Sequence, residues 1–171
     1  MKKILVFIIL LLSICNVSAM SLKVSDATGK VGEDVRVPIV VEKAENLGSM
    51  DLVIAYNAEL LKVKSVGKGE LNKGLISSNT NEQTGIISIA IADSKGINGN
   101  GEIAVITFNA LKEGSSDVTI VGAKAYDVNT HLEITLNSTN GKVTISGKST
   151  PGFEALLAIV AFLMLALRRK A

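Results

Sequence analysis

The chain has 171 residues, 18 basic and 16 acidic, for a formal net charge of +2, with one cysteine, one histidine and no tryptophan. Five of the basic residues and one acid lie at the two ends, leaving thirteen basic and fifteen acidic residues between them, about −2. The basicity therefore belongs to the ends and is no nucleic-acid footprint, and the cysteine count excludes a disulfide framework.

The N-terminus opens with Lys2 and Lys3, runs apolar from Ile4 to Leu12, and reaches Val17-Ser18-Ala19. A basic start, an apolar stretch and small residues before a cleavage point read as a secretory signal helix over residues 1–19. About a dozen apolar residues fall short of the roughly 20 that a spanning helix needs. Cys15 departs with this segment, and Ile14 stands where a lipid-attachment motif wants a small residue. The exported domain must then hold together without bridges, and about 130 residues suffice for that by burial alone.

From 20 to 146 the chain is rich in Val, Ile, Thr, Ser and Gly in short alternating runs, the pattern of an all-β sandwich. Nine strands are predicted: Ser21 to Ser25, Val35 to Glu42, Ser49 to Tyr56, Leu61 to Val66, Leu75 to Thr80, Ile86 to Ala92, Glu102 to Leu111, Asp117 to Ala123, and Lys142 to Ile145. Pro38 marks an edge or a bulge, because proline cannot donate to a ladder. Asn57 to Leu60 breaks the alternation and reads as one helical turn. A short polar linker, 147–152, follows the domain.

The tail is Pro151-Gly152-Phe153-Glu154, an apolar run from Ala155 to Leu167, and Arg168-Arg169-Lys170. This arrangement resembles the archaeal PGF-CTERM sorting signal. The resemblance implies an archaeosortase that cuts near Pro151, Gly152 and Phe153 and exchanges the tail for a lipid. Read by physics alone, 153–171 is a short anchor helix of about 15 apolar residues, roughly 22 Å at helical rise, with its arginines on the cytoplasmic side. Both readings tether the domain to the membrane at the outer cell surface.

Strand faces carry the functional argument, since alternate side chains point to opposite sides and one side must be buried. Met50, Leu52, Ile54 and Tyr56 form one buried set, and Ile87, Ile89 and Ile91 another. Asp51, Val53, Ala55, Ser88, Ala90 and Ala92 then face outward. A plane of Ala, Val and Ser costs little to desolvate and immobilises no long side chains, so it suits a docked helix or loop, with Asp51 as a lone acceptor.

Other constellations are weaker. Asn98, Asn100 and Glu102 put oxygens at alternate positions of a Gly-rich loop, but one carboxylate and two amides make a poor calcium cage. His131 has neither a cysteine partner for zinc nor a nucleophile-elbow sequence for a triad, and no metal or cofactor is predicted. Asn137-Ser138-Thr139 is a glycosylation sequon, suited to a surface loop.

Val35 to Val41, Gly48 to Asn57, Leu60 to Val63, Gly101 to Phe108, Ala125 to Asn129 and Asn140 to Ile145 resemble cohesin domains in order and spacing. The resemblance implies a nine-stranded jelly-roll sandwich, related in fold to carbohydrate-binding modules, that docks calcium-loaded dockerin modules and is tied to polysaccharide breakdown. In type I members an Asn-x-Asp pair on the third strand contacts the dockerin; here Ser49 stands in place of the Asn, and Asp51 keeps the Asp. Asp93 is similar to an acid that follows the sixth strand of that type. The partner-binding set is accordingly Ser49, Asp51, Val53, Ser88, Ala90, Ala92 and Asp93, on a non-catalytic module. Two alternatives stand beside it: direct carbohydrate binding, for which Tyr56, Phe108 and Tyr126 are the only aromatic residues of the domain, and a structural surface-layer or adhesion role without a dockerin.

Overall fold

Runs that place an apolar residue at every second position form strands, because a pleated backbone sends alternate side chains to the same side. The computed structural model describes residues 19–147, and the described residues contain no helix. The predicted signal segment, linker, sorting tripeptide and anchor lie outside the described residues, apart from Ala19 and Gly147.

Nine strands follow in chain order: β1 Met20–Val24, β2 Ala27–Lys30, β3 Asp34–Ala55, β4 Leu61–Lys68, β5 Leu75–Asn81, β6 Ile86–Ala110, β7 Gly114–Asp127, β8 Leu136–Thr139 and β9 Gly141–Ser146. The number agrees with the sequence reading but its make-up does not. Two predicted pairs, Val35 to Glu42 with Ser49 to Tyr56 and Ile86 to Ala92 with Glu102 to Leu111, are each one long bulged strand. The two short polar strands β2 and β8 were not foreseen; each pairs in parallel with a segment remote in sequence, β2 with β9 and β8 with β1.

β3 and β6 run antiparallel along their whole length and change outer neighbours midway. Their first contact region, Asp34 to Val41 against Gly101 to Asn109, is flanked by β1 and β4. The second, Ser49 to Ala55 against Ile86 to Ala92, is flanked by β7 and β5. Each long strand thus serves both layers of a sandwich. Lys43 and Asn46 on β3 take left-handed φ values of 56° and 50°, and Gly96 and Gly99 on β6 take 76° and 101°. These residues make the corner, where an extra residue bends a strand and leaves backbone groups unpaired. Asn100 Oδ1 accepts the Lys43 N–H at 2.7 Å and Asn98 Oδ1 accepts that of Asn46 at 2.8 Å. The amide oxygens considered for calcium thus serve to close the corner.

The core between the layers contains Leu22, Ile39, Met50, Leu52, Ile87, Ile89 and Phe108, all buried. Tyr56 and Phe108 are buried as expected and pack with ring centroids 5.1 Å apart, inclined by 50°. Pro38 is not on an edge strand: β3 lies between β1 and β6. Its carbonyl accepts the Ser25 N–H at 2.9 Å, just past the end of β1, so its missing N–H faces the side where that ladder has stopped. Asn57 to Leu61 closes as one turn, with the Leu61 N–H donating to the Asn57 carbonyl at 3.0 Å. The sequon residue Asn137 is exposed on strand β8, not in a loop.

Candidate partner-binding face

The register joins the outward residues of β3 and β6 into direct cross-strand pairs: Ser49 with Ala92, Asp51 with Ala90, and Val53 with Ser88. Directly opposed side chains share one side of a sheet, so six of the seven candidate residues form a single patch. The flanking strands extend each row. Leu75 and Tyr126 bracket the first, Ser77 and Lys124 the second, Asn79 and Gly122 the third. Buried Met50, Leu52, Ile54, Ile87, Ile89 and Ile91 point the other way and hold the plane on the core.

Asp51 is exposed, and its carboxylate makes no ion pair or hydrogen bond with another described residue. It is not a lone charge on the plane, however, because Lys124 on β7 stands directly opposite it. Large apolar side chains are exposed at both margins, Leu75 on β5 at 72% and Val121 on β7 at 56%. Val121 lies where the β3–β7 register slips between Gly122 and Ile120, a shift that periodicity alone does not reveal.

The Ser49–Ala92 end of the patch opens into a cleft of about 670 Å3 that also includes Lys68, Lys73, Lys95 and His131. Its walls are backbone segments brought very close. A Cβ on Gly74 would lie 2.2 Å from the Ala92 carbonyl oxygen, and one on Gly48 would lie 2.7 Å from Val128, so both positions require glycine. Asp93, the seventh candidate, sits in this cleft at the end of the patch, and its Oδ1 accepts the Lys95 N–H at 2.8 Å. Asp127 Oδ1 likewise accepts the N–H groups of Asn129 and Thr130, at 2.7 and 2.8 Å. Those two bonds hold the Asp127 carboxyl below the usual carboxylate range, with the nearby His131 adding a smaller effect. His131 itself is exposed on the same turn at a φ of 59°. Sequence reasoning named Ser49, Ala92 and Asp93 but missed the cleft they line, because loops remote in the chain close it.

The cohesin-domain family profile matches residues 20–145. The chain belongs to the cohesin domain family. Among curated proteins, cellulose-binding protein A of Clostridium cellulovorans is 27% identical over 139 residues, covering 76% of this chain. The match spans only 8% of that relative's length. Among solved structures, a non-cellulosomal cohesin from the hyperthermophilic archaeon Archaeoglobus fulgidus is similar at 27% identity and a TM-score of 0.69, over 75% of this chain and 92% of that one. A type I cohesin–dockerin complex from Clostridium thermocellum contains a chain similar in fold at 21% identity and a TM-score of 0.70, over 75% of this chain and all of that one. The cohesin sandwich thus accounts for the layers described above.

Proposed function

We propose that this cohesin domain is a non-catalytic binding module that docks a dockerin-type, calcium-loaded protein module, and that the docking surface is the outward side of β5, β6, β3 and β7. The observation that carries this reading is the register: Ser49, Asp51 and Val53 lie directly opposite Ala92, Ala90 and Ser88, tiling one flat plane whose charges are the opposed Asp51 and Lys124. Such a plane loses little hydration and little side-chain freedom when covered, and exposed Leu75 and Val121 at its margins add apolar area. Asp51, free of partners, is available to accept from a hydroxyl of the docked module.

The same proposal places the domain outside the cell. The basic–apolar–small pattern of residues 1–19 supports export. The Pro151-Gly152-Phe153 tail, followed by an apolar run and Arg168-Arg169-Lys170, supports tethering at the surface, by an archaeosortase-installed lipid or by the tail itself. The partner is then a secreted enzyme or surface protein, with polysaccharide breakdown as its setting. Direct sugar binding is less well supported, because stacking platforms need exposed rings, and Tyr56 and Phe108 pack on each other in the core, leaving half-buried Tyr126 as the single ring beside the plane.

Pull-down of the chain with calcium-loaded dockerins from its own proteome tests the reading. Ala90→Arg places a long charged side chain at the centre of the plane and should abolish capture. Asp51→Ala should weaken it by about 1.5–3 kcal/mol, the value of a hydrogen bond to a charged group. Capture unchanged by both substitutions would remove this face from the account.

A further inference from the structure

Lys68, Lys73 and Lys95 come from three separate segments, the end of β4, the approach to β5 and the corner of β6, and meet around the cleft at the Leu75 end of the plane. Among the described residues none of the three makes an ion pair, whereas Lys62, Lys64 and Lys142 pair with Glu82, Asp34 and Asp117. The two carboxylates in the same cleft, Asp93 and Asp127, are turned into their own turns by the backbone N–H groups they accept. Both carboxylates keep their charge, but three lysines against two acids leave the cleft net positive, with the lysine ammonium groups free to meet a partner. The opposite end of the plane differs: Asn79 and Asn81 are neutral, and the nearby acids Glu82 and Asp117 are both paired.

We propose that the docking surface is electrically polar along its strands, and that it selects a dockerin-type module whose docking helix carries carboxylates at the end that reaches Lys68, Lys73 and Lys95 and an apolar side chain against Leu75. The proposal rests on the reading of the face given above. Charge complementarity at a rim steers encounter and fixes orientation, and a helix whose C-terminal, negative end lies at the lysines gains further from its dipole. A polyanion would need only the lysines. Here the cleft is continuous with a neutral plane through Ser49 and Ala92, and its rim holds a Leu75 that is 72% exposed, features that suit a folded polypeptide.

Isothermal titration of the full chain with calcium-loaded dockerins, some acidic and some neutral at the helix end, tests this at about 50 and about 300 mM salt, where surface charges are weakly and strongly screened. The acidic dockerins should bind more tightly, and K73E/K95E should weaken them about tenfold at low salt and flatten the salt dependence. The same reversal at Lys23 and Lys30, away from the cleft, should change neither. Thermal midpoints of all variants should match, so that a loss of binding reports charge and not unfolding. Dockerin binding that ignores the cleft reversal, or lysine-dependent binding of heparin or of phosphatidylglycerol vesicles in its place, would overturn the proposal while leaving the plane intact. Failure of every dockerin to bind at either salt would overturn the plane as well.

Discussion

The two halves of β6 obey the same alternation and meet opposite fates on their outer sides. In Ile86 to Ala92 the inward isoleucines are buried and the outward Ser88, Ala90 and Ala92 are exposed. In the second half the four consecutive residues Ile103 to Ile106 are all buried. The Gly69–Leu71 segment lies along this stretch, with the Leu71 N–H donating to the Glu102 carbonyl at 2.8 Å and the Gly69 N–H to that of Ile103 at 3.2 Å. Arg36 and Glu102 are joined there in a two-bond ion pair, and Lys64 and Asp34 in a single-bond one. One outer surface is closed: its charges are paired, its edge is extended by the chain's own segment, and its Val105 is only 8% exposed. The other is left smooth, small and unpaired, which is the property a docking plane needs.

The largest expected effect comes from placing the same side chain on both halves. Val105 is outward by register, opposite Pro38 and Gly67, yet only 8% exposed. Val105→Arg should destabilise the domain by about 2–3 kcal/mol in urea unfolding, through overpacking and a poorly solvated charge. Ala90→Arg, outward on the open half, should stay within about 0.5 kcal/mol. Equal costs at the two positions would break the contrast.

A smaller effect sharpens it at low pH. Asp34 on the closed half, beside Lys64 and Asn109, and Asp127 at the cleft, beside the Asn129 and Thr130 N–H groups, both titrate below the usual carboxylate range. A carboxylate depressed in the folded state stabilises it above its unfolded pKa, and that contribution fades as pH falls through the folded value. Unfolding midpoints should therefore hold across neutral pH and decline only in the acid range. Asp34→Ala and Asp127→Ala should each flatten the decline only slightly, since solvent screens both groups at the surface. A decline that neither variant alters would assign acid sensitivity to other groups.

Much of the plane was legible before any coordinates, because period-2 alternation in Met50 to Tyr56 and Ile86 to Ala92 assigns each side chain to a face by itself. What alternation does not carry is register. Nothing local announces that Lys124 lies opposite Asp51, that Val121 bulges out of β7, or that Asn98 and Asn100 serve the backbone of Lys43 and Asn46. The corner also explains why two predicted strand pairs proved to be single strands: the Gly- and Asn-rich stretches that read as loops are bulges that carry β3 and β6 from one layer to the other. β2 and β8, Ala27–Lys30 and Leu136–Thr139, are short and largely exposed, so only their parallel partners define them.

Methyl cross-saturation in a complex of the isotope-labelled chain with an unlabelled, calcium-loaded dockerin addresses the docking plane most directly. Saturation should transfer to the methyl groups of Val53, Leu75, Ala90 and Ala92 and leave Val40 and Thr107, on the other layer, unaffected. Transfer to Val40 and Thr107 with none to Ala90 would place the partner on the opposite side of the sandwich and contradict the account.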